Sequence, residues 1–491
     1  DDVRDDIQGF ITSGYRHLTA AAYLFVRIVD PAAGRRWIGR LRETVTTAGP
    51  WPRDDAGAAI KPETALNLAF TADGLRECGV PSSVLCTFPV EFQEGIASPA
   101  RSRILGDTGE SAPTAWELGG PGTEPIHAVV IIHARDDRAL DAAYASELSR
   151  IERMNGGVVA HSGADQRGYR PAGDTEPFGF RDGIAQPSIA GIAGRGVPTG
   201  EFILGYPNHY DVVPPTPVVP ASLDPQGILP ALENPYHGSG LRDLGRHGSF
   251  VVYRKLQQHV AVFWRALRDE SMRRRGTADY EQMIWLASKM IGRWPSGAPL
   301  VEAPHRDDPA RATDDAFEYG RDPDGLACPI GAHVRRTNPR DDLKPYPAEQ
   351  SRHMSEAHRI LRRARVFGPP AFDPAVLRDG AAAAAREAVL ALEDDGEARG
   401  IHFFCVNASI RSQFEFVQQT WCNNPSFGGL SAGKDPIVGD HARAGEPPTR
   451  MVVPGAAAPI RTGPLPRFVT VRGGAYLFMP GLTALRYLSA G

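Results

Sequence analysis

The chain has 491 residues, 42% of them hydrophobic and 23% charged, and at ~100 to 200 residues per domain this length requires two or more domains or one large double domain. Such a composition excludes disorder, collagen-like repeats and coiled coil as the dominant state. A net charge of −4 leaves no basic footprint for tracking phosphates, so nucleic acid is excluded as a natural partner.

In chain order, Tyr23 to Val29 and Ala128 to Ile132 are apolar runs of strand length, and the second is followed by a helical pattern through Leu140, Leu148 and Ile151. The second half repeats this strand-helix unit. Ser249 to Tyr253 reads as a strand, with Leu256, Val260, Phe263 and Leu267 at helical intervals after it. Ile401 to Val406 reads as another strand, followed by a helix with Ile410, Phe414, Val417 and Trp421 on one face. Between the halves, the Pro-rich stretch Val212 to Pro235 suits a long surface connection and marks the domain boundary, giving domains 1–225 and 226–491. Two similar halves of strand-helix units predict an α+β pair of sheets with helices packed on them. Ala381 to Ala385 is an alanine tract inside a predicted helix and carries no chemistry.

The 54 basic residues include only five lysines, Lys61, Lys255, Lys289, Lys344 and Lys434; this skew reads as genome composition. Cys78, Cys86, Cys328, Cys405 and Cys422 are odd in number and lack CxxC spacing. They indicate neither a disulfide framework nor a zinc site, and a reducing, cytoplasmic setting is expected. No apolar run reaches the ~20 residues needed to span a bilayer, so no membrane partner is expected. The start, Asp1-Asp2-Val3-Arg4-Asp5, has no basic or apolar leader pattern, while the missing initiator Met is compatible with a trimmed presequence and secretion.

Several catalytic patterns fail on their surroundings. Gly429-Leu430-Ser431-Ala432-Gly433 matches a nucleophile elbow, but Asn423-Asn424-Pro425-Ser426 precedes it where a buried strand is required. Gly428 to Lys434 fits part of a phosphate loop, but Asp435 follows where a hydroxyl should meet Mg²⁺, and its carboxylate would repel phosphate. A glycine-rich surface turn is the better reading. His353 and His358, five apart, do not share a helical face as metal ligands would. His333 differs, because Arg335, Arg336 and Arg340 follow it. One imidazole suffices as an axial haem ligand, and guanidiniums suit anionic propionates.

Phe178-Gly179-Phe180-Arg181-Asp182-Gly183-Ile184-Ala185-Gln186-Pro187 resembles the GxxDG signature of the dye-decolourising peroxidases. Cys328 to Arg340 resembles the same family's proximal-histidine segment. Arg359-Ile360-Leu361-Arg362-Arg363-Ala364-Arg365-Val366-Phe367-Gly368 looks like its distal-arginine stretch, with Arg362 lying 29 positions after His333. Leu244 to Phe250, Gln413 to Val417 and the Gly428 to Gly439 turn also look familial, so the resemblance spans most of the chain. Its length is similar to that of the larger bacterial C or V type.

The resemblance implies two ferredoxin-like domains, each an antiparallel sheet packed with helices. One haem b (iron protoporphyrin IX) per chain would lie between the sheet and helices of the second domain. It also implies His333 as the iron ligand, Asp182 as the distal proton shuttle from the first domain, and Arg362 as the distal cation, with Arg363 the fallback. Arg335, Arg336 and Arg340 are the candidates for the propionates. Glu415 is the candidate for the carboxylate that accepts the ligand histidine's other N–H, although a solvated helix glutamate fits it equally.

The implied activity is a haem peroxidase in which hydrogen peroxide drives the iron to a ferryl porphyrin-radical state that takes single electrons from dyes, phenols and similar aromatic donors. Bulky donors would react at the haem edge or through a surface Trp or Tyr; Trp116, Trp264, Trp285, Trp294 and Trp421 are candidates, with Trp421 better read as core. Two rivals stand beside it, a haem-handling protein that carries the cofactor or releases its iron, and a non-haem hydrolase using scattered His and Asp residues. A monomer and a homo-oligomer are both compatible with the sequence.

Overall fold

The apolar runs form strands enclosed on both faces. Strand β1 (Ala20–Ile28) sends Ala22, Leu24 and Val26 to one cluster and Ala21, Tyr23 and Phe25 to another, the alternation that a period of two dictates. Both clusters are apolar, which is why the sequence shows a continuous run instead of an alternating one. The computed structural model describes residues 2–490 except 164–165, 193, 195, 233–239, 379–381, 432, 442–444 and 456–457. The start of the alanine tract, Ala432 of the GxSxG pattern and the end of the Pro-rich stretch therefore lie outside the described residues.

The first half runs β1, helix α1 (Pro31–Arg42), β2 (Thr64–Phe70), β3 (Ala128–Ala134), α2 (Asp137–Glu152) and β4 (Gln166–Tyr169), with lateral strand order β4-β1-β3-β2, all antiparallel. Asp30 and Asp136 start the two helices by accepting the N–H groups of Ala33 and Ala139, which satisfies donors left free in the first turn. The second half repeats the plan with β5 (Ser249–Gln258), α3 (Val260–Arg275), β6 (Leu361–Arg362), β7 (Arg365–Phe367), β8 (Gly400–Asn407) and β9 (Val469–Met479). Its order is β9-β5-β8-β7, with β6 on the same edge of β8 as β7.

The two sheets close into one ring. Phe70 pairs with Phe478 across β2 and β9, and Tyr169 pairs with Val366 across β4 and β7. Side chains such as Tyr23, Phe25, Ile131, Tyr253, Phe404 and Leu477 fill the interior, as expected for about eight strands. With the inside packed solid, a cofactor-sized space has to lie outside the ring, between the strands and the surrounding segments.

Three expectations change. Leu256 belongs to β5, and the helix after it begins at Val260. The segment from Arg411 to Cys422 is wound as π-helix, with Glu415 N–H bonded to Ile410 C=O five residues back, yet Ile410, Phe414, Val417 and Trp421 are all buried as expected. The Pro-rich connection is only partly superficial: Val218–Pro220 pairs with Leu241–Asp243, and Val219 and Leu229 are buried. Among the described residues no helix is long and apolar enough to cross a membrane.

Candidate active site

The GxxDG segment is a tight hairpin. Asp182 N–H donates to Asp174 C=O at 2.8 Å and Glu176 N–H to Phe180 C=O at 2.9 Å. Gly179 has φ +101°, and a Cβ there would meet Leu377 Cδ1 at 2.4 Å, while Gly183 has φ +74°; only glycine takes both positions without strain. Phe178 and Phe180 dock the hairpin on α3, with ring centroids 4.5 Å from Phe263 and 6.5 Å from Trp264. The first half thus delivers Asp182 to the outer face of the second.

Arg362 meets it there. Its Nη1 donates to Asp182 Oδ1 at 2.7 Å, and its backbone N–H donates to Gln186 Oε1 at 2.9 Å. Strand alternation decides between the competing arginines. Arg362 lies opposite Cys405 and Leu361 opposite Val406, so Leu361 enters the ring interior and Arg362 faces outward. Arg363 turns away and donates to the carbonyls of Phe10 and Ile11. Burial pushes the Asp182 pKa up, but the Arg362 charge and the Gly183 N–H outweigh it and hold the carboxyl below its ordinary 3.8.

His333 begins helix α4 (His333–Thr337), and its Nδ1 lies 3.0 Å from Asp435 Oδ2. The other Asp435 oxygen accepts the N–H groups of Ile437 and Val438 at 2.8 and 2.9 Å. Burial opposes the charge on Asp435, yet His333 and these N–H groups bring its pKa down to about 2. Burial likewise opposes a charged His333, but Asp435 raises its pKa above the ordinary value. The carboxylate that meets the His333 ring is therefore Asp435, in the glycine-rich turn, and not Glu415. Glu415 binds Arg101 at 3.0 Å and Tyr476 at 2.8 Å.

His333, Asp182 and Arg362 line one cavity, whose apolar walls include Leu256, Phe403, Phe414 and Val469. A second cavity abuts it, sharing Glu176, Asp182, Ile184, Arg362, Ala364 and Ile401. No family model matches the chain. A dye-decolorizing peroxidase of Exidia glandulosa is 30% identical over 501 residues, covering 98% of this chain and 86% of that protein. The chain belongs to the dye-decolourising peroxidase family. The multifunctional dye peroxidase DyP2 of an Amycolatopsis species is 27% identical over 440 residues, covering 86% of this chain and 82% of that one. A solved dye-decolorizing peroxidase in complex with 2,6-dimethoxyphenol superposes with TM-score 0.74 at 25% identity and covers 99% of both chains. Family membership is thus settled, while relatives from both organisms leave the bacterial C or V type unselected.

The donor set fits the family's haem. With Nδ1 committed to Asp435, Nε2 of His333 is the nitrogen left for iron. Arg359 lines the cavity, where among the described residues its guanidinium makes no closer hydrogen bond than a 3.5 Å approach to Ala185 C=O. Burial and the nearby Arg340 lower its pKa to about 10. Arg181 also lines the cavity, with its Nε buried and unpartnered among the described residues. Two under-satisfied cations beside apolar walls are what a dicarboxylate porphyrin requires.

The arginines expected from sequence are differently employed. Arg335 is buried away from the cavity, bound to Asp322 at 3.2 Å and Asp342 at 2.5 Å. Arg336 donates to the carbonyls of Trp421, Asn424 and Gly433 and so secures the Asp435 turn. Arg340 does line the cavity, but its guanidinium is engaged by Asp315 and the Phe317 carbonyl. Of the candidate relay residues, Trp116, Trp264, Trp294 and Trp421 are all buried, and only Trp285 is partly exposed.

Proposed function

We propose that Asp182, Arg362 and His333 form the peroxidatic centre of this dye-decolourising peroxidase, with one haem b per chain between the sheet and helices of the second half. The observation that carries this reading is the Asp182–Arg362 ion pair lining the same cavity as an imidazole tethered to a buried carboxylate. Two ferredoxin-like domains, 1–225 and 226–491, are supported by the repeated lateral order in which the fourth strand pairs the first, the first the third, and the third the second.

When bound, the haem supplies the redox chemistry, in which peroxide takes two electrons and aromatic donors return them singly. His333 Nε2 would hold the iron while Nδ1–H donates to Asp435, which would make the imidazole a stronger ligand. Asp182, ionised, would take a proton from one peroxide oxygen and return it to the other. Arg362 places fixed donors and a permanent charge beside the departing hydroxide. Arg359 and Arg181 would pair with the propionates. The phenol bound by the similar solved structure supports phenols and dyes as donors here, oxidised at the haem edge. Five unpaired cysteines support a reducing compartment.

The test is one absorption spectrum of the haem-reconstituted protein before and after peroxide. A Soret band that changes within the mixing time supports the reading; a haem complex inert to peroxide favours the carrier.

Two arginine variants separate cofactor binding from folding. Arg359→Met should lower haem affinity while leaving the denaturation midpoint of the haem-free protein close to wild type. Arg335→Ala strands the buried Asp322 and Asp342 carboxylates and should cost about 3 to 5 kcal/mol of stability, read by denaturant unfolding. Equal effects of the two on haem affinity would undo the assignment.

A further inference from the structure

Glu176 is an acid at the distal wall for which the peroxidase mechanism has no use. It lines both cavities. Its Oε1 accepts the N–H of Phe180 at 2.9 Å, and its Oε2 accepts the N–H of Phe178 at 3.0 Å and Gln258 Nε2 at 2.6 Å. All three partners are donors, so the arrangement is complete only when the carboxyl is ionised. Phe178 and Phe180 belong to the hairpin that presents Asp182, and Gln258 ends β5. The carboxylate therefore pins the hairpin to the second half's sheet from inside the cavity.

We propose that Glu176 is a positioning residue for Asp182, and that its two protonation states give the distal pocket two settings, a clamped hairpin with a second negative charge and a loosened hairpin without it. The proposal rests on Asp182 being the distal base. Gln258 supplies the mechanical counterpart. Its Oε1 is buried and without a hydrogen-bond partner among the described residues. Turning the amide over would exchange Oε1 for the nitrogen now 2.6 Å from the carboxyl, an acceptor for a protonated Glu176 at the expense of the present bond.

The surroundings place the change in an accessible range. Burial raises the Glu176 pKa, the Phe178, Gln258 and Phe180 donors lower it, and Asp182 raises it again, leaving it at about 7. The charged groups that line the two cavities with it include Asp174, Arg181 and Asp182 on its own hairpin, Arg170 before it, Arg254 on β5, Arg362 on β6 and His333 on α4. Only Arg362 pairs directly with Asp182 among these.

The test is run on the haem-reconstituted full chain. Infrared spectra across about pH 5 to 9 should show a carboxyl band vanishing as pH rises through neutrality, absent in Glu176→Gln. The rate constant for reaction with peroxide should rise about two- to tenfold over the same range, the worth of one hydrogen bond. Glu176→Gln should lack that step, and Glu176→Asp should restore part of it. Should Glu176→Gln fail to fold, two other variants decide. Gln258→Leu removes a donor and should move the band's titration up by roughly half to one pH unit, whereas Asp182→Asn removes a like charge and should move it down. A neutral-range step that survives unchanged in Glu176→Gln, or a band that neither neighbour shifts, overturns the proposal. A normal band titration in a protein inert to peroxide would instead count against the peroxidase reading, since the infrared signal needs no turnover.

Discussion

Asp182→Asn should keep the haem spectrum of the parent and slow reaction with peroxide by about 10²- to 10⁴-fold, the usual worth of a positioned acid–base group. The amide preserves shape and can still accept from Arg362 Nη1, which now stands 2.7 Å from Oδ1, so the hairpin has no reason to move. What disappears is the basic oxygen. The pH dependence identifies the residue. Because its pKa is held below 3.8 by Arg362 and the Gly183 N–H against the effect of burial, Asp182 remains a base at acidity that would protonate an ordinary aspartate. Its contribution is full above the lowered pKa and fades as pH falls through it. Arg362→Leu removes the stabilising charge, so the acid limb should move to higher pH while the maximal rate falls by about 10²- to 10³-fold. Stopped-flow rate constants against pH test both. An Asp182→Asn protein that reacts at the parent rate, or an Arg362→Leu protein with an unmoved acid limb, would remove the pair from the mechanism.

The residues that could be read from sequence are those whose neighbours in the chain define them. Gly179, Asp182 and Gly183 sit within one hairpin, and the glycine positions follow from its backbone. Arg362 was separable from Arg363 only by a family pattern, and the structure supplies the physical reason, a two-residue strand that alternates between the ring interior and the cavity. Asp435 was out of reach because it lies 102 residues from His333. In the sequence its segment reads as a surface turn, and its carboxylate serves only to rule out phosphate. The arginines near His333 point elsewhere for a related reason. Helix α4 is short, with His333 on the cavity side and Arg335 and Arg336 buried on the other, where they satisfy carboxylates and carbonyls, while Arg181 and Arg359 reach the cavity from the GxxDG hairpin and the β6 segment. Apolar runs located the strands, but closure of two sheets into a ring depends on single pairings at the seams, Phe70 with Phe478 and Tyr169 with Val366, which no local pattern announces.

His333→Ala should abolish the axial-imidazole spectrum and sharply reduce haem retention, and free imidazole added to the variant should restore both in part. Rescue is expected because the substitution opens a space beside Asp435, whose Oδ2 can orient an added imidazole as it does His333 at 3.0 Å. Asp435→Asn tests the tether separately. Loss of an outer carboxylate partner typically costs about 10- to 100-fold in metal affinity, so haem should bind more weakly at alkaline pH, where the imidazole is neutral in both proteins. The acid side should respond in the opposite direction. Burial disfavours the charged imidazole, but Asp435 overrides it and raises the His333 pKa, so in the parent protons compete with iron as pH falls through that raised value. Without the carboxylate the His333 pKa drops, and the acid limb of haem binding should shift to lower pH even as the plateau affinity declines. Haem titrations of the parent and the Asn variant across pH distinguish these effects. A lower plateau with an unshifted acid limb would mean that Asp435 orients the ring without governing its charge, and an unchanged plateau would mean that His333 is not the ligand.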